Sequence, residues 1–405
     1  MSGIYSGLQA KIKAVSPLAQ FVPCSAHSLN LVGTNAASSC KNAVMFFDLL
    51  QKLYTFFSAS TYRWDILKSS IKSLSDTRWS ARDDACKSLN NNWKLIINAL
   101  ENLKNDKSQK PATRCEANGV LQKLLSLETA FMSILWGHLL ERFNLSSKRL
   151  QSVDMDLVKV AEIYQSSICY VNDLRTDSEY EYYKKLGIEK CGIEDFVSTK
   201  KRTKNRKTFI DDGPATDNSN AIDFKVTTYL AILDRIQAEL IKRKNAYDEL
   251  NKKYQFLFCI TEITTVEVRE KAAVLQQIYK DDLGKTFPNE CVHFRAHILS
   301  LKKMKKIVPG TAQDLLTFIK VNNLIELYPY VDIALRMLLC TPTSNCSAER
   351  SFSALKRVNN YLRSTIGIER LNSLAMLNIE SKLTNELQYD DIIDEFANQQ
   401  ARKKL

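Results

Sequence analysis

Apolar residues recur at helical spacing along most of the chain. Between about residues 43 and 325, a leucine, isoleucine, valine or aromatic side chain returns every three or four positions. Stripes of this kind predict amphipathic helices, and short polar breaks separate them. We therefore expect an all-helical domain in this part of the chain. The clearest stripes run over residues 121–139, 153–171 and 224–247.

The first 32 residues follow a mixed pattern. Ile4, Leu8, Ile12 and Val15 are spaced as in a helix over residues 4–14, which Ser16-Pro17 would end. Residues 18–22 are a short run (LAQFV) that predicts a strand, and a helix restarts after Pro23. A lone strand is unstable without sheet partners. The pattern therefore indicates a fragment of an α/β layer.

Two stretches lack helical periodicity. Residues 104–114 are predicted to form a polar loop, and residues 198–221 a linker or disordered loop. The second stretch carries a basic cluster whose composition is typical of nuclear-localisation or phosphate-contacting segments, although a solvated loop fits it equally well. The cluster consists of Lys200, Lys201, Arg202, Lys204, Arg206 and Lys207.

Composition adds limits to this picture. The 405 residues are 45% apolar and contain only 11 glycines and 8 prolines, so a large helical core can be buried. The net charge of +12 favours an anionic partner, most simply DNA, although many soluble proteins are mildly basic. Ten irregularly spaced cysteines without a CxxC pair indicate reduced thiols in an intracellular protein. The apolar runs are too short to span a membrane.

The C-terminal helices carry a wide apolar face. A turn at residues 341–343 leads into one predicted helix, Gly367 breaks it, and a second helix follows. This face is larger than a terminal helix pair needs, so we expect self-association into a homodimer or larger assembly. Packing onto the helical domain of the same chain would use the same side chains. The face comprises Phe352, Leu355, Leu362, Ile368, Leu371, Leu374 and Leu377.

Four blocks, in chain order, carry a family resemblance. Residues 346–353 (CSAERSFS), with the residues that follow them, resemble the C-terminal signature of hAT superfamily transposases. Residues 23–31 (PCSAHSLNL) and 74–82 (LSDTRWSAR) are similar to two further hAT blocks. Residues 145–154 resemble a segment of the branch that carries MYM-type or TTF-type zinc fingers. The blocks lie in the family's order across residues 1–385, which makes the combined match specific.

The resemblance implies a mostly α fold with a partial RNase H-like α/β core interrupted by a large all-helical insertion domain. Residues 1–45 would be the C-terminal part of the first half of the core, and residues 46–325 the insertion. Residues 326–385 would hold the C-terminal remnant with the dimerisation helices, and residues 386–405 a tail that frays at its polar end. The family's location implies the nucleus.

The resemblance also implies a catalytic centre of two aspartates and one glutamate holding divalent metals, with Glu349 in the glutamate's place. The chain opens at a position that corresponds to just past the second aspartate. Two-metal strand transfer needs several converging carboxylates, which one glutamate does not supply. We therefore expect a vestigial Glu349, no enzymatic activity and no cofactor, with Mg or Mn relevant only to an active full-length ancestor. Two alternatives stay open: a fragment of an active transposase, and a helical interaction protein without DNA contact.

The remaining candidate residues could serve either a functional or a structural role. Cys24 and His27 have zinc-ligand spacing but lack a second half, so we interpret them as a structural pair rather than a metal site. The second histidine- and cysteine-rich stretch, residues 291–297, fits an ordinary helix face. Arg78 and Trp79 correspond to a family pair on the DNA-facing side, where the indole would stack on a flipped base. The alternative, which we favour here, is a core tryptophan.

Overall fold

The computed structural model describes residues 7–74, 79–152, 155–196, 223–304, 311–360 and 365–400. Within these ranges the regular structure is helical and contains no strand. A π-helical turn at Lys225–Leu230 precedes the eleventh α-helix. The α-helices are α1 (Leu8–Val15), α2 (Ser25–Ala37), α3 (Lys41–Ser58), α4 (Thr61–Leu67), α5 (Trp79–Asn91), α6 (Trp93–Asn105), α7 (Pro111–Leu124), α8 (Leu127–Leu150), α9 (Leu157–Leu174), α10 (Asp177–Cys191), α11 (Ala231–Phe258), α12 (Thr265–Ile278), α13 (Phe287–Lys303), α14 (Ala312–Val321), α15 (Pro329–Leu339), α16 (Cys346–Val358), α17 (Ile368–Ile379), α18 (Ser381–Glu386) and α19 (Asp390–Gln400).

The predicted mostly α character is confirmed, whereas the strand predicted at residues 18–22 is wrong. These residues lie in an irregular segment between α1 and α2, and Leu18 and Phe21 are exposed. With no neighbouring strand among the described residues, the segment has no ladder to join. The predicted loop at residues 104–114 shrinks to residues 106–110, because Pro111 occupies the first turn of α7, where its missing N–H costs nothing.

The chain divides into two compact units, Met1–Thr343 and Ser344–Leu405. We call the first the helical body and the second the C-terminal unit. The break lies at neither of the predicted boundaries, 45/46 and 325/326, which rest on the family resemblance and stay predictions. Within the helical body, α2 packs against α8 and α11, so the segment predicted as a core fragment shares one hydrophobic core with the long helices.

The helical body is built around α8 and α11. The 24-residue α8 contacts α5 and α10, and the 28-residue α11 contacts α9 and α2. Trp136 and Phe131 on α8 are fully buried, as are Tyr229, next to α11, and Tyr247 within it. Because α8 is buried over much of its circumference and α11 buries an apolar stripe along its length, the two helices occupy the centre of the body.

Buried hydrogen bonds fix the irregular segment before α2. The Tyr164 hydroxyl donates to the Ser25 carbonyl at 2.9 Å, and the Tyr247 hydroxyl to the Pro23 carbonyl at 3.0 Å. The Ser25 amide donates to the Thr343 carbonyl at 3.0 Å. These bonds satisfy backbone groups that no strand partner satisfies, which explains how Ser25 is buried, and Pro23 and Cys24 are half-buried, without a sheet.

Candidate self-association surface

The C-terminal unit is organised around the pair α16 and α17, which pack against each other. Gly367 is the N-cap of α17 and has extended backbone angles (φ −64°, ψ 154°). It does not end the preceding helix as predicted, because α16 already ends at Val358, where the backbone of Asn359 turns extended. Val358 and Ala375 are buried, and Leu355, Leu371 and Leu374 are partly buried. This row of side chains therefore belongs to the inside of the unit.

The other predicted dimerisation residues point to solvent. Phe352 is 70% exposed, Ile368 78% and Leu377 48%. The predicted face thus divides into an inner row and an outer row, which the sequence alone did not separate. Leu362 lies outside the described residues.

Exposed apolar side chains continue beyond Leu377. Within the predicted tail, residues 390–400 form α19, and fraying of the polar end stays a prediction. Residues 401–405 lie outside the described part of the chain. The helical spacing of Ile392, Ile393 and Phe396 in the sequence indicates this helix. It was not predicted because the polar residues at the end of the tail favour an unstructured segment. The outer surface, as we name it, consists of Phe352, Ile368, Met376, Leu377, Ile379, Leu383, Leu387, Tyr389, Ile392, Ile393 and Phe396.

A shallow depression lies beside these side chains within the C-terminal unit. Its volume is about 300 Å³, and both apolar and polar groups line it. Leu377 belongs both to the outer surface and to the depression, so the two features are continuous. The lining residues are Val358, Leu374, Leu377, Asn378, Ser381, Thr384 and Asn385.

Glu349, the candidate vestigial catalytic residue, lies in the first turn of α16 and is exposed. A carboxylate at that position interacts favourably with the partial positive charge of the helix N-terminus. The described residues contain no group of three or more histidine, cysteine, aspartate or glutamate side chains placed to hold a metal ion. The local geometry of Glu349 is therefore that of a helix-terminal acid.

Trp79, the candidate base-stacking residue, is buried in the helical body with 7% of its surface exposed. Its ring lies 6.0 Å from that of Trp136, and its Nε1 donates to the Thr34 hydroxyl at 3.2 Å. The ring also closes directly over Gly33. In this position the indole offers no free face to a nucleic-acid base, as the core alternative predicts. Arg78 lies outside the described residues.

Among the described residues, Cys24 and His27 do not belong to a group of three or more side chains that could hold a metal ion. Cys24 is half-buried at the N-cap of α2, and His27 is exposed. In the second cysteine–histidine stretch, Cys291 is buried, while His297 Nδ1 lies 3.0 Å from the Tyr328 hydroxyl, an ordinary packing role. Lys200, Lys201, Arg202, Lys204, Arg206 and Lys207 lie outside the described residues.

The comparison with protein families covers part of the outer surface, namely the residues from Phe352 to Leu383. Residues 297–383 match the model of the hAT family C-terminal dimerisation region, which begins within α13 and ends within α18. Among the described helices, none is both long and apolar enough to cross a membrane. The match covers about a fifth of the chain. The chain therefore contains a hAT-type dimerisation region, and this supports its origin from a hAT-family transposase.

Proposed function

We propose that this chain is a transposase-derived protein whose main activity is self-association through the outer surface of its C-terminal unit. The single observation that carries the proposal is the contrast between buried and exposed apolar side chains there. Among the described residues of the unit, the buried apolar side chains are Cys346, Val358 and Ala375, whereas eleven large ones are exposed. A monomeric protein rarely leaves so many large apolar side chains in one small unit, and such surfaces are typical of interaction sites.

The free energy that burial of the outer surface can contribute is large enough for self-association at micromolar concentration. Fully burying a valine-, leucine- or phenylalanine-sized side chain contributes about 1.5–3 kcal/mol. Four of the eleven would thus contribute about 6–12 kcal/mol, while a micromolar dissociation constant corresponds to about 8 kcal/mol. Because association also costs several kcal/mol of lost motion, a micromolar complex requires most of the surface rather than one residue.

A two-fold arrangement suits the geometry of the unit. In a symmetric dimer the same patch faces itself, so a protruding side chain on one copy must meet a recess on the other. The C-terminal unit has both features, with the exposed Phe352 on α16 and the depression that Leu377 lines. We propose that this recess receives an apolar side chain of a second copy.

The test is the oligomeric state of the full chain. Size-exclusion chromatography with light scattering should give a dimer or larger species at micromolar concentration. The double variant Phe352→Glu/Ile368→Glu should shift it to monomer, because charged groups cannot enter the interface without a large desolvation cost. Matched controls are Val266→Glu and Val274→Glu on α12, both 58% exposed, which should leave the assembly unchanged. A monomeric wild type would refute the proposal, and equal effects of both variant sets would move the interface elsewhere.

We propose that DNA contact is secondary and independent of base sequence. The net charge of +12 supports it, and the basic cluster at residues 200–207 is the obvious candidate. Affinity for a random duplex should fall steeply between low and moderate salt. Changing Lys200, Lys201 and Arg202 to glutamine should weaken binding and flatten the salt dependence. Absence of binding at low salt would favour the interaction protein without DNA contact.

We propose further that the 405-residue chain by itself does not catalyse strand transfer and that it acts in the nucleus. One exposed carboxylate at a helix end, Glu349, is too few ligands for a two-metal centre. An RNase H-like ancestry rests on the sequence blocks alone. Incubation with a duplex and Mg²⁺ or Mn²⁺ should leave the duplex intact. Metal-dependent nicking that Glu349→Gln abolishes would overturn this part of the proposal.

A further inference from the structure

A second surface feature, unrelated to self-association, lies where α3 meets α4. The two helices are joined by Ala59 and Ser60, and Leu67 anchors the short α4 in the core. A shallow pocket of about 310 Å³ opens beside this junction. Its lining residues are Tyr54, Ser58, Ser60, Thr61, Trp64 and Asp65.

Two aromatic rings stand at a right angle in this pocket. The ring centroids of Tyr54 and Trp64 are 6.2 Å apart, and the ring planes make an angle of 86°. Both residues are partly exposed. Since a ring face carries negative electrostatic potential, the part of each ring face that is exposed to the pocket attracts a cation. Asp65, which lines the same pocket and is exposed, adds a negative charge.

Among the described residues, no polar group engages the pocket's charged and aromatic groups. Within the described part of the chain, the Tyr54 hydroxyl, the Trp64 Nε1 and the Asp65 carboxylate have no hydrogen bond or ion pair. Neighbouring polar side chains are committed elsewhere. Tyr62 donates to Asp106 at 2.9 Å, and Arg63 lies over the Phe56 ring, 4.7 Å from its centroid. The nearest internal cation in sequence is therefore held away from the aromatic corner.

The combination selects one class of ligand. A small inorganic cation or an unmodified ammonium is strongly hydrated, and an open aromatic pocket replaces few of its hydrogen bonds. A methylated ammonium is weakly hydrated, has no or few N–H groups to satisfy, and presents methyl groups to the ring faces. The hydroxyls of Ser60 and Thr61 suit the polar remainder of such a ligand. Anions are disfavoured by Asp65.

We propose that the pocket of Tyr54, Trp64 and Asp65 binds a methylated ammonium group. The same chemistry occurs in a methylated lysine side chain and in a free quaternary ammonium such as choline. The proposal does not depend on self-association, because the pocket lies wholly within the helical body.

Tryptophan fluorescence of the full chain offers a direct assay. Of the four tryptophans, Trp79, Trp93 and Trp136 are buried, so a solvent-borne ligand reports mainly on Trp64. Choline should change the emission saturably, whereas its neutral isostere 3,3-dimethyl-1-butanol should not. An equal response to both compounds would show apolar contact only and would overturn the proposal.

Variants place the ligand in the pocket. Ligand-observed NMR with choline should show loss of binding in Trp64→Leu. Asp65→Asn, which keeps the shape of the side chain, should weaken binding by roughly twofold to fivefold, the range for one exposed ion pair. Tyr62→Phe is the control, since its ring lies outside the pocket lining, and it should bind choline as wild type does. Wild-type affinity in Trp64→Leu, with the fold intact by circular dichroism, would exclude this site.

The source of the ligand is decided by a parallel titration. A short peptide containing trimethyl-lysine is compared with the same peptide containing unmodified lysine, and both with choline. Tighter binding of the methylated peptide than of choline assigns the pocket to a protein ligand, and the reverse order assigns it to a small molecule. Equal binding of the methylated and unmodified peptides would contradict recognition of the methyl groups.

Discussion

Gly33→Ala is the sharpest test of whether Trp79 serves the core or a bound nucleic acid. Gly33 lies in the middle of α2, and a Cβ added there would stand 2.2 Å from Cε2 of Trp79 and 2.3 Å from Cζ2. Ordinary contact begins at 3.4 Å, so the indole or the helix would have to move by about 1.2 Å. The colliding atoms belong to a rigid fused ring, which cannot bend away as the end of a flexible chain can.

The expected magnitude follows from two opposing effects. Inserting a methyl group into a packed site costs about 1–3 kcal/mol, and more where neighbours cannot adjust. Replacing glycine by alanine within a helix contributes about 1 kcal/mol in the other direction. Because the collision lies far inside the normal contact distance, the upper part of the steric range applies. We expect Gly33→Ala to lower the free energy of unfolding by about 1–2 kcal/mol.

The chain supplies a matched control and a rescue. Gly119 is also helical, in α7, and an added Cβ meets nothing within 4 Å, so Gly119→Ala should stabilise the protein by about 0.5–1 kcal/mol. Trp79→Leu destabilises by itself, since it leaves a cavity beside Trp136. In that background, Gly33→Ala should lose its cost, because the ring it collides with is absent.

Urea unfolding of the four variants, followed by far-ultraviolet circular dichroism, measures these differences. The double-mutant cycle should give a coupling energy between Gly33 and Trp79 of about 2 kcal/mol. An additive cycle, with the same cost of Gly33→Ala whether or not the indole is present, would refute the packing we describe. Such a result would return Trp79 to the candidates for base stacking.

Two further predictions concern titration and thiol chemistry. Burial lowers the pKa of Lys190 to about 8, while the unfolded chain keeps that proton up to its ordinary pKa of 10.5. The unfolded state therefore binds more protons above pH 8, so stability should rise from about pH 8 to about pH 9 in wild type but not in Lys190→Met, as urea titrations at each pH will show. A rise that persists in Lys190→Met would assign it to another group. Burial raises the pKa of the Cys86 and Cys291 thiols, so these two should react with an aromatic disulfide reagent only when the protein unfolds, whereas exposed thiols should react at once. Immediate reaction of all ten cysteines would contradict the burial of Cys86 and Cys291. The exposed thiols are Cys115, Cys169 and Cys340.

Periodicity predicted the helices well because residues three or four positions apart lie on the same face of a helix, so a buried face is visible as a repeat in the sequence. The two C-terminal helices follow from the same local rule, although α16 ends at Val358 and not at the predicted break at Gly367. The segment at residues 18–22 shows where local reasoning fails. Five residues with two apolar pairs fit a strand, but a strand exists only where another strand completes its hydrogen bonds. Here Tyr164 of α9 and Tyr247 of α11, more than a hundred residues away in the sequence, donate hydrogen bonds to the carbonyls of Ser25 and Pro23.

The candidate site, too, was predicted only in part from the sequence. Sequence spacing identified the apolar residues of α16 and α17, but spacing alone cannot separate the row that packs within a unit from the row that faces outward. Leu355 and Leu371 belong to the first row, and Phe352 and Ile368 to the second. Trp79 presents the opposite case. The family resemblance implies a nucleic-acid contact for this tryptophan, yet only the three-dimensional arrangement shows Gly33 and Trp136 closing around its ring.

The two units differ in how their stability is supplied. The helical body buries large side chains from α8, α9 and α11 in one core, and interior hydrogen bonds tie its distant segments together. The described part of the C-terminal unit buries three apolar side chains. A unit of this size with so small a core is not expected to be stable without added support, and burial of the outer surface against a second copy would supply it. Folding of the C-terminal unit and association are then the same event, so its order should depend on protein concentration while that of the helical body does not.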